Sequence, residues 1–583
     1  MTSRKENCEN SGCSPSKKFK SKIFGEVCKH VSQHAYFNYM DRLQVLYLPT
    51  CSDDNNCKHI SKKTPQTIND KIQQIPPSAS NAILIEVSGK TWREALEITF
   101  LCITPKQYLT AEILSHIVDI MLNAHDDKSS RYTAAHLITR CEQILAYHFR
   151  MHPPCFKHEN IINVYKGFLM GETGKIEKSY SNRNNYEWKK GIINYSFKRL
   201  DYEVSSESMD GPLINKEEII PQKLKSTQLL HFEREELEIF ELLERSERID
   251  RLMAVLRSLV ELLQFNLLIL NYRGKRLNSL MQELFLHEQE EKSKINTITI
   301  LQKQIMKIFA YFIHLDYPEE HIDTMTIWLN TVVEFQYYSD DHSHDYPTIN
   351  GNMRKFAREF YNIISVLPHK SILKVLKRIQ PNYMKFKVGL NYIISVLNYE
   401  EDNIKNVLLH FFRNSLWNNF PKSDDDDNLL EISDEKYVPP DDIIGHLSKI
   451  CKTAPKLETK ETLMYPKFYS CSDTKITRYI IISAIHTCLD AYMEAYNFKK
   501  VHEILKQINS SKSEKNEIYC EKSHLYNVTD RNVKAYEGIY EFLDELNLIL
   551  ENLRENKNLP KEIQFFITRV KKAKVEYLNE KIA

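Results

Sequence analysis

Apolar residues in this chain recur at helical spacing over long stretches. Ile249, Leu252, Met253, Leu256, Leu259, Val260, Leu263, Leu267 and Leu270 follow the i, i+3, i+4, i+7 pattern, with Arg248, Arg251 and Arg257 expected on the opposite, polar side. Ahead of them stand Glu233, Glu235, Glu236 and Glu238, an acidic lead-in that suits a helix N-terminus. A shorter helix is expected from about Lys275 to Glu290. Upstream, Thr91–Ile103 reads as a helix stopped by Thr104-Pro105, and Thr110 as the cap of a second running through Leu122. A third is expected to start at Ser129 or Ser130 and to stop at His152-Pro153-Pro154. Further on, Ile480–Tyr496 and Lys499–Ile508 read as a helix pair.

The breakers agree. No proline lies between Pro221 and Pro318 or between Pro466 and Pro560, and each stretch holds one glycine, Gly274 and Gly538. Helix-breaking residues are thus scarce where the apolar period is strongest. Glycine is rare overall, with 13 in 583 residues, about 2% against a usual 7%. Phosphate loops and tight-turned β folds depend on glycine, so neither class fits. The expectation is an all-α fold, an irregular α-solenoid or helical array with long loops.

Four divisions follow. Residues 1–30 read as a disordered basic tail and 31–420 as the main helical body, with loops near 50–88, 172–187 and 205–224. Residues 421–440 read as an acidic linker or loop closed by Pro439-Pro440, and 441–583 as a C-terminal helical part. No fixed repeat period is present to assign a known repeat class.

Charge narrows the partners. Lys and Arg number 79 and Asp and Glu 78, a net charge of +1, which gives no chain-wide drive toward phosphate backbones. No apolar run is long enough for a membrane span, and Met1–His30 has no signal-peptide core. The 12 cysteines are scattered without framework spacing, which points to reduced thiols.

Chemical motifs are near misses. Gly167-Phe-Leu-Met-Gly171-Glu-Thr-Gly174-Lys175 resembles a phosphate loop, but Leu169 stands where the first glycine belongs, and Ile176 replaces the Mg²⁺-holding hydroxyl. A helix C-terminus entering a loop is the preferred reading. Cys28, His30, Cys51, Cys57 and His59 lack zinc-finger spacing, and His152, Cys155 and His158 are too few to close a site. Asp340, Asp341, His342, His344 and Asp345 read as a solvated loop. No catalytic, cofactor or metal site is expected.

Two linear features remain. Lys17, Lys18, Lys20 and Lys22 could form a nuclear import patch, a solvated tail being the competing reading. Asp424, Asp425, Asp426 and Asp427, followed by Leu429, Leu430 and Ile432, have the build of a SUMO-interacting motif: an aliphatic run that adds a strand to a sheet edge, beside acids that meet basic residues. A linker with one buried anchor competes with it. Ile83–Val87 is a second aliphatic run, without flanking acids, expected to pack on the body.

Two longer stretches carry a resemblance. Ala95–Tyr108 with Thr110–Leu122, and Phe356–Phe360 through Leu367–Ser371 to Lys387–Ile393, resemble the helical domain of the SUMO-interacting-motifs-containing protein family. Phe37–Pro49 and Gly191–Glu203 are weaker pieces in the same order, and the likeness covers roughly residues 25 to 420. The resemblance implies an α-solenoid related to the fifth non-SMC element of the SMC five–six complex. It implies a nuclear, non-catalytic scaffold paired with a helical SMC localisation factor like the sixth element, with the SMC five–six complex and SUMO as further partners. The family's long N-terminal region, which carries its SUMO motifs, is nearly absent, so the acidic loop would be a relocated substitute at best. The rival classes are a general helical adaptor in transcription or trafficking and an enzyme with an unrecognised site.

Overall fold

The computed structural model describes residues 72–126, 132–154, 159–171, 191–205, 239–273, 280–285, 298–338, 351–379, 382–396, 404–411 and 478–498, with single positions from 501 to 568. They build an all-α helical array. Its sole regular strands among the described residues are β1 (Gln73–Gln74) and β2 (Gln107–Tyr108), paired parallel. The chain divides into two compact units. The first takes the described residues up to Ile193, those between Glu233 and Leu280, and Glu319–Thr324; the second takes those from Asn194 to Phe232, Met281–Pro318 and from Met325 onward.

In the first unit, α1 (Pro77–Ser88) packs on α2 (Trp92–Cys102), and α3 (Ala111–Asn123) packs on α4 (Ala134–Met151) and α5 (Glu159–Met170). The long helix α8 (Arg245–Arg273), preceded by the single turn α7 (Ile239–Leu242), lies against α3 and α4. Ile113, Ile117, Leu145, Phe149, Leu256 and Leu263 are among its wholly buried residues. Each apolar stripe finds another, which supplies most of the stability of such helices.

Local chemistry starts and stops these helices. Thr110 caps α3 by accepting the Ile113 N–H at 3.2 Å. Helix α4 begins later than the serines suggested: Thr133 is its cap, accepting the His136 N–H at 3.3 Å, and Ser129 and Ser130 lie outside the described residues. Residues 77–88, expected as loop, are helical. Pro76-Pro77 reads as a breaker, but Pro77 stands at the first helical position, where a missing N–H removes no bond. Ile83–Val87 is therefore helix, with Ile83 buried and Ile85 largely exposed. The other expected loops, near 172–187 and 205–224, lie outside the described residues apart from Ser205, which ends a helix.

The α8 pattern holds from Ile249 to Leu267, all on buried positions. Its arginines do not all face water. Arg251 is 3% exposed and donates to the Leu122 carbonyl at 2.7 Å and to Glu247 at 2.7 Å. The reason is that α3 ends against this face of α8. Its last carbonyls carry the negative end of the helix dipole, and a guanidinium can satisfy them. Arg257 binds Glu142 at 2.7 Å and also pairs with Glu320, while Arg150 reaches Glu261 at 3.2 Å.

The second unit contains α6 (Ile192–Ser205, from Asn194), α9 (Leu280–Phe285, from Met281), α10 (Ile300–His314), α11 (Glu319–Tyr338, from Met325), α12 (Gly351–Ile364), α13 (His369–Arg378), α14 (Asn382–Val396), α15 (Ile404–Phe411) and α16 (Arg478–Ala495). Helix α10 opens on a capping box in which Thr299 and Gln302 satisfy each other's backbone N–H. It packs on α12 and α13, while α14 packs on α12 and α16. Phe197 of α6 meets Trp328 of α11 edge-on at 4.9 Å. Among the described residues no helix is long and apolar enough to cross a membrane.

Candidate functional site

The first unit holds a surface cleft of about 400 Å³ between α2 and α4. Its floor is Leu96 and Leu137, both nearly buried, and Arg93, Glu97, Tyr132, His136 and Arg140 stand around it. The spacing of the two helices explains the set. On α2, Arg93 and Glu97 are four residues apart, and on α4 so are His136 and Arg140, so each pair shares a helix face.

The two guanidiniums are in different states. Arg140 lies over the Phe100 ring at 4.4 Å and binds Glu97 with both prongs, Nε to Oε1 at 3.1 Å and Nη2 to Oε2 at 3.0 Å. Arg93 lies over the Tyr132 ring at 4.6 Å and makes no ion pair among the described residues. The ring holds its planar group in place and leaves its N–H edge available. His136 meets the other side of this arrangement, edge-on to Tyr132 at 6.2 Å, with Nδ1 2.7 Å from the Thr133 hydroxyl.

A second polar cluster is buried in the same unit. His148 is wholly buried, and its Nε2 accepts the Leu109 N–H at 3.0 Å. The proton of the neutral ring is therefore on Nδ1, which donates to the Tyr165 hydroxyl at 3.2 Å. Tyr165 donates in turn to the His152 carbonyl, and His152 Nε2 donates to the Thr104 carbonyl at 2.7 Å. Burial, with the His152 ring beside it, pushes His148 well below the usual imidazole range. Burial likewise drives Tyr165 far up. Both groups stay neutral, and the cluster ties the α2–α3 connection to the end of α4 and to α5.

The residues singled out in the sequence lie elsewhere. Lys17, Lys18, Lys20 and Lys22 are outside the described residues, as are Asp424, Asp425, Asp426, Asp427, Leu429, Leu430 and Ile432. So are Cys28, His30, Cys51, Cys57, His59, Cys155, His158 and the 340–345 cluster. The stretch resembling a phosphate loop begins as helix: α5 runs to Met170, and Gly171 follows in the left-handed region at φ 75°, its N–H bonded to the Gly167 carbonyl at 3.0 Å. Among the described residues no three His, Cys, Asp or Glu side chains gather to hold a metal ion. Burial raises the Cys141 and Cys488 thiols well above their ordinary range, which keeps them protonated.

Neither the cleft nor the histidine cluster was visible in the sequence. Arg93 and Tyr132 are 39 positions apart, as are Leu109 and His148, and no spacing rule links such positions. The chain matches no protein-family model, and no curated protein matches it.

Proposed function

We propose that this chain is a non-catalytic helical scaffold. It pairs with a second helical subunit, of the SMC localisation factor kind, to recruit or regulate the SMC five–six complex in the nucleus, in chromosome maintenance, DNA repair or restriction of viral DNA. The observation that carries the reading is the agreement between the resemblance and the helices. Ala95–Leu122 is α2, a connection that holds β2, and α3, and Phe356–Ile393 is α12, α13 and α14, with Pro105 and Pro368 falling in the connections. The resemblance rests on this alternation of helix, proline-marked connection and helix.

A physical point supports partner binding. On α1 and α2, Ile85 and Leu101 are 68% and 74% exposed, apolar surface that an interface can cover. Recruitment to SUMO-modified proteins through Asp424–Ile432 belongs to the same reading as a secondary contact.

Co-expression with a helical localisation-factor subunit tests it. One stable species in size-exclusion chromatography, melting higher than the chain alone, is the expected result. If the two elute separately at micromolar concentration, the assignment fails and a general helical adaptor takes its place.

A further inference from the structure

We propose that the cleft between α2 and α4 is a recognition site for an acidic peptide segment. A carboxylate would dock on the Arg93 guanidinium, and a neighbouring aliphatic side chain would lie on Ala135 and on the floor formed by Leu96 and Leu137.

Charge selects the ligand. The lining holds two guanidiniums and one carboxylate, Glu97, and both oxygens of that carboxylate are taken by Arg140. Arg93 is thus an uncompensated cation among the described residues, and the Tyr132 ring fixes its plane before any ligand arrives. A guanidinium held this way presents parallel N–H groups that match the two oxygens of a carboxylate. His136 adds a donor or acceptor beside it: Thr133 engages Nδ1, and Nε2 has no partner among the described residues.

Size and openness exclude other classes. A metabolite site usually encloses most of its ligand, whereas a solvent-open cleft of about 400 Å³ seats one or two side chains of an extended chain. A dianionic phosphate is usually gripped by a cluster of arginines, and here one of the two is already committed to Glu97. Nucleic-acid binding needs many phosphate contacts, and a single available guanidinium supplies one.

Fluorescence polarisation of the full chain tests the proposal with three fluorescein-labelled peptides. One alternates Glu and Leu, one is its Gln–Leu isostere, and one carries phosphoserine in place of Glu. The Glu–Leu peptide is expected to bind, more weakly at high salt, and the isostere to stay free. Arg93→Gln, at an exposed position that leaves the core untouched, should weaken binding about tenfold or more. Glu97→Gln should tighten it by releasing Arg140, a gain that misfolding cannot produce. Equal binding of the Glu and Gln peptides, no effect of Arg93→Gln, or binding of the phosphopeptide alone would each overturn the proposal.

Discussion

His148 and Tyr165 share one hydrogen, and its direction is set from outside the pair. Because the Leu109 N–H occupies Nε2 of His148, the imidazole proton must sit on Nδ1 and point to the Tyr165 oxygen 3.2 Å away. The tyrosine then has its own proton free for the His152 carbonyl. Leu109, His148 and Tyr165 are buried, and the bonds that join them close only while His148 is neutral.

The pH dependence follows from that neutrality. An unfolded imidazole titrates near about pH 6.5, and the buried ring titrates well below that. Between the two values the unfolded chain binds more protons, so stability is full above about pH 6.5 and falls as the pH drops through that window. His148→Gln should flatten this acid limb of a urea-midpoint against pH curve. It should also cost about 2–4 kcal/mol at pH 7.5, because the Leu109 N–H and the Tyr165 oxygen lose their partner.

Arg251→Met removes the guanidinium from the Leu122 carbonyl at the C-terminus of α3. Glu247, about half exposed, can hydrate, but the carbonyl beneath α8 cannot. A loss of about 1–3 kcal/mol in chemical unfolding is expected, with Arg251→Lys recovering part of it through one donor.

Gly191→Ala should be among the most damaging single changes in the first unit, because Gly191 is buried. Gly191 sits at φ 83°, where a Cβ is strained. That Cβ would also lie 2.2 Å from the Leu169 oxygen and the Met170 Cα, both backbone atoms that cannot rotate away. At least about 2 kcal/mol should be lost, read as a lower urea midpoint.

Lys387 gives an alkaline counterpart. Burial, helped by nearby Arg354 and opposed by Asp490, lowers its ammonium to about 8. Between that value and the ordinary lysine value the unfolded chain binds more protons, so stability rises with pH from about 8 to 10.5. Lys387→Met should abolish this rise and be more stable than the parent at pH 7, by about 1–3 kcal/mol. A parent curve that is flat across the window would refute the assignment.

Much of the helical array was legible beforehand. Leu252, Leu256, Leu259 and Leu263 repeat at the helical period, Thr110 stands where a cap belongs, and Pro105 stands where a helix must stop. These signals are local: a helix and its ends depend on residues within a turn or two of one another. The same locality explains the misreadings. Pro76-Pro77 reads as a break in the sequence because a proline alone does not say whether it begins a helix or interrupts one. Arg251 reads as a residue of the wet side of α8 because its burial depends on the Leu122 carbonyl, 129 positions away in the chain.

The candidate site falls wholly on the far side of this divide. By itself the sequence determined where backbone hydrogen bonds close within a few residues, and so the all-α class and the ends of α2 and α3. Tertiary structure alone decided which helices meet. Only packing of α2 on α4 brings Glu97 to Arg140, leaves Arg93 on Tyr132 without a counter-charge among the described residues, and lays Leu96 beside Leu137. Such pairings depend on interhelical distances of a few ångströms, set by how apolar stripes interlock, and no residue within one turn of Arg93 carries that information.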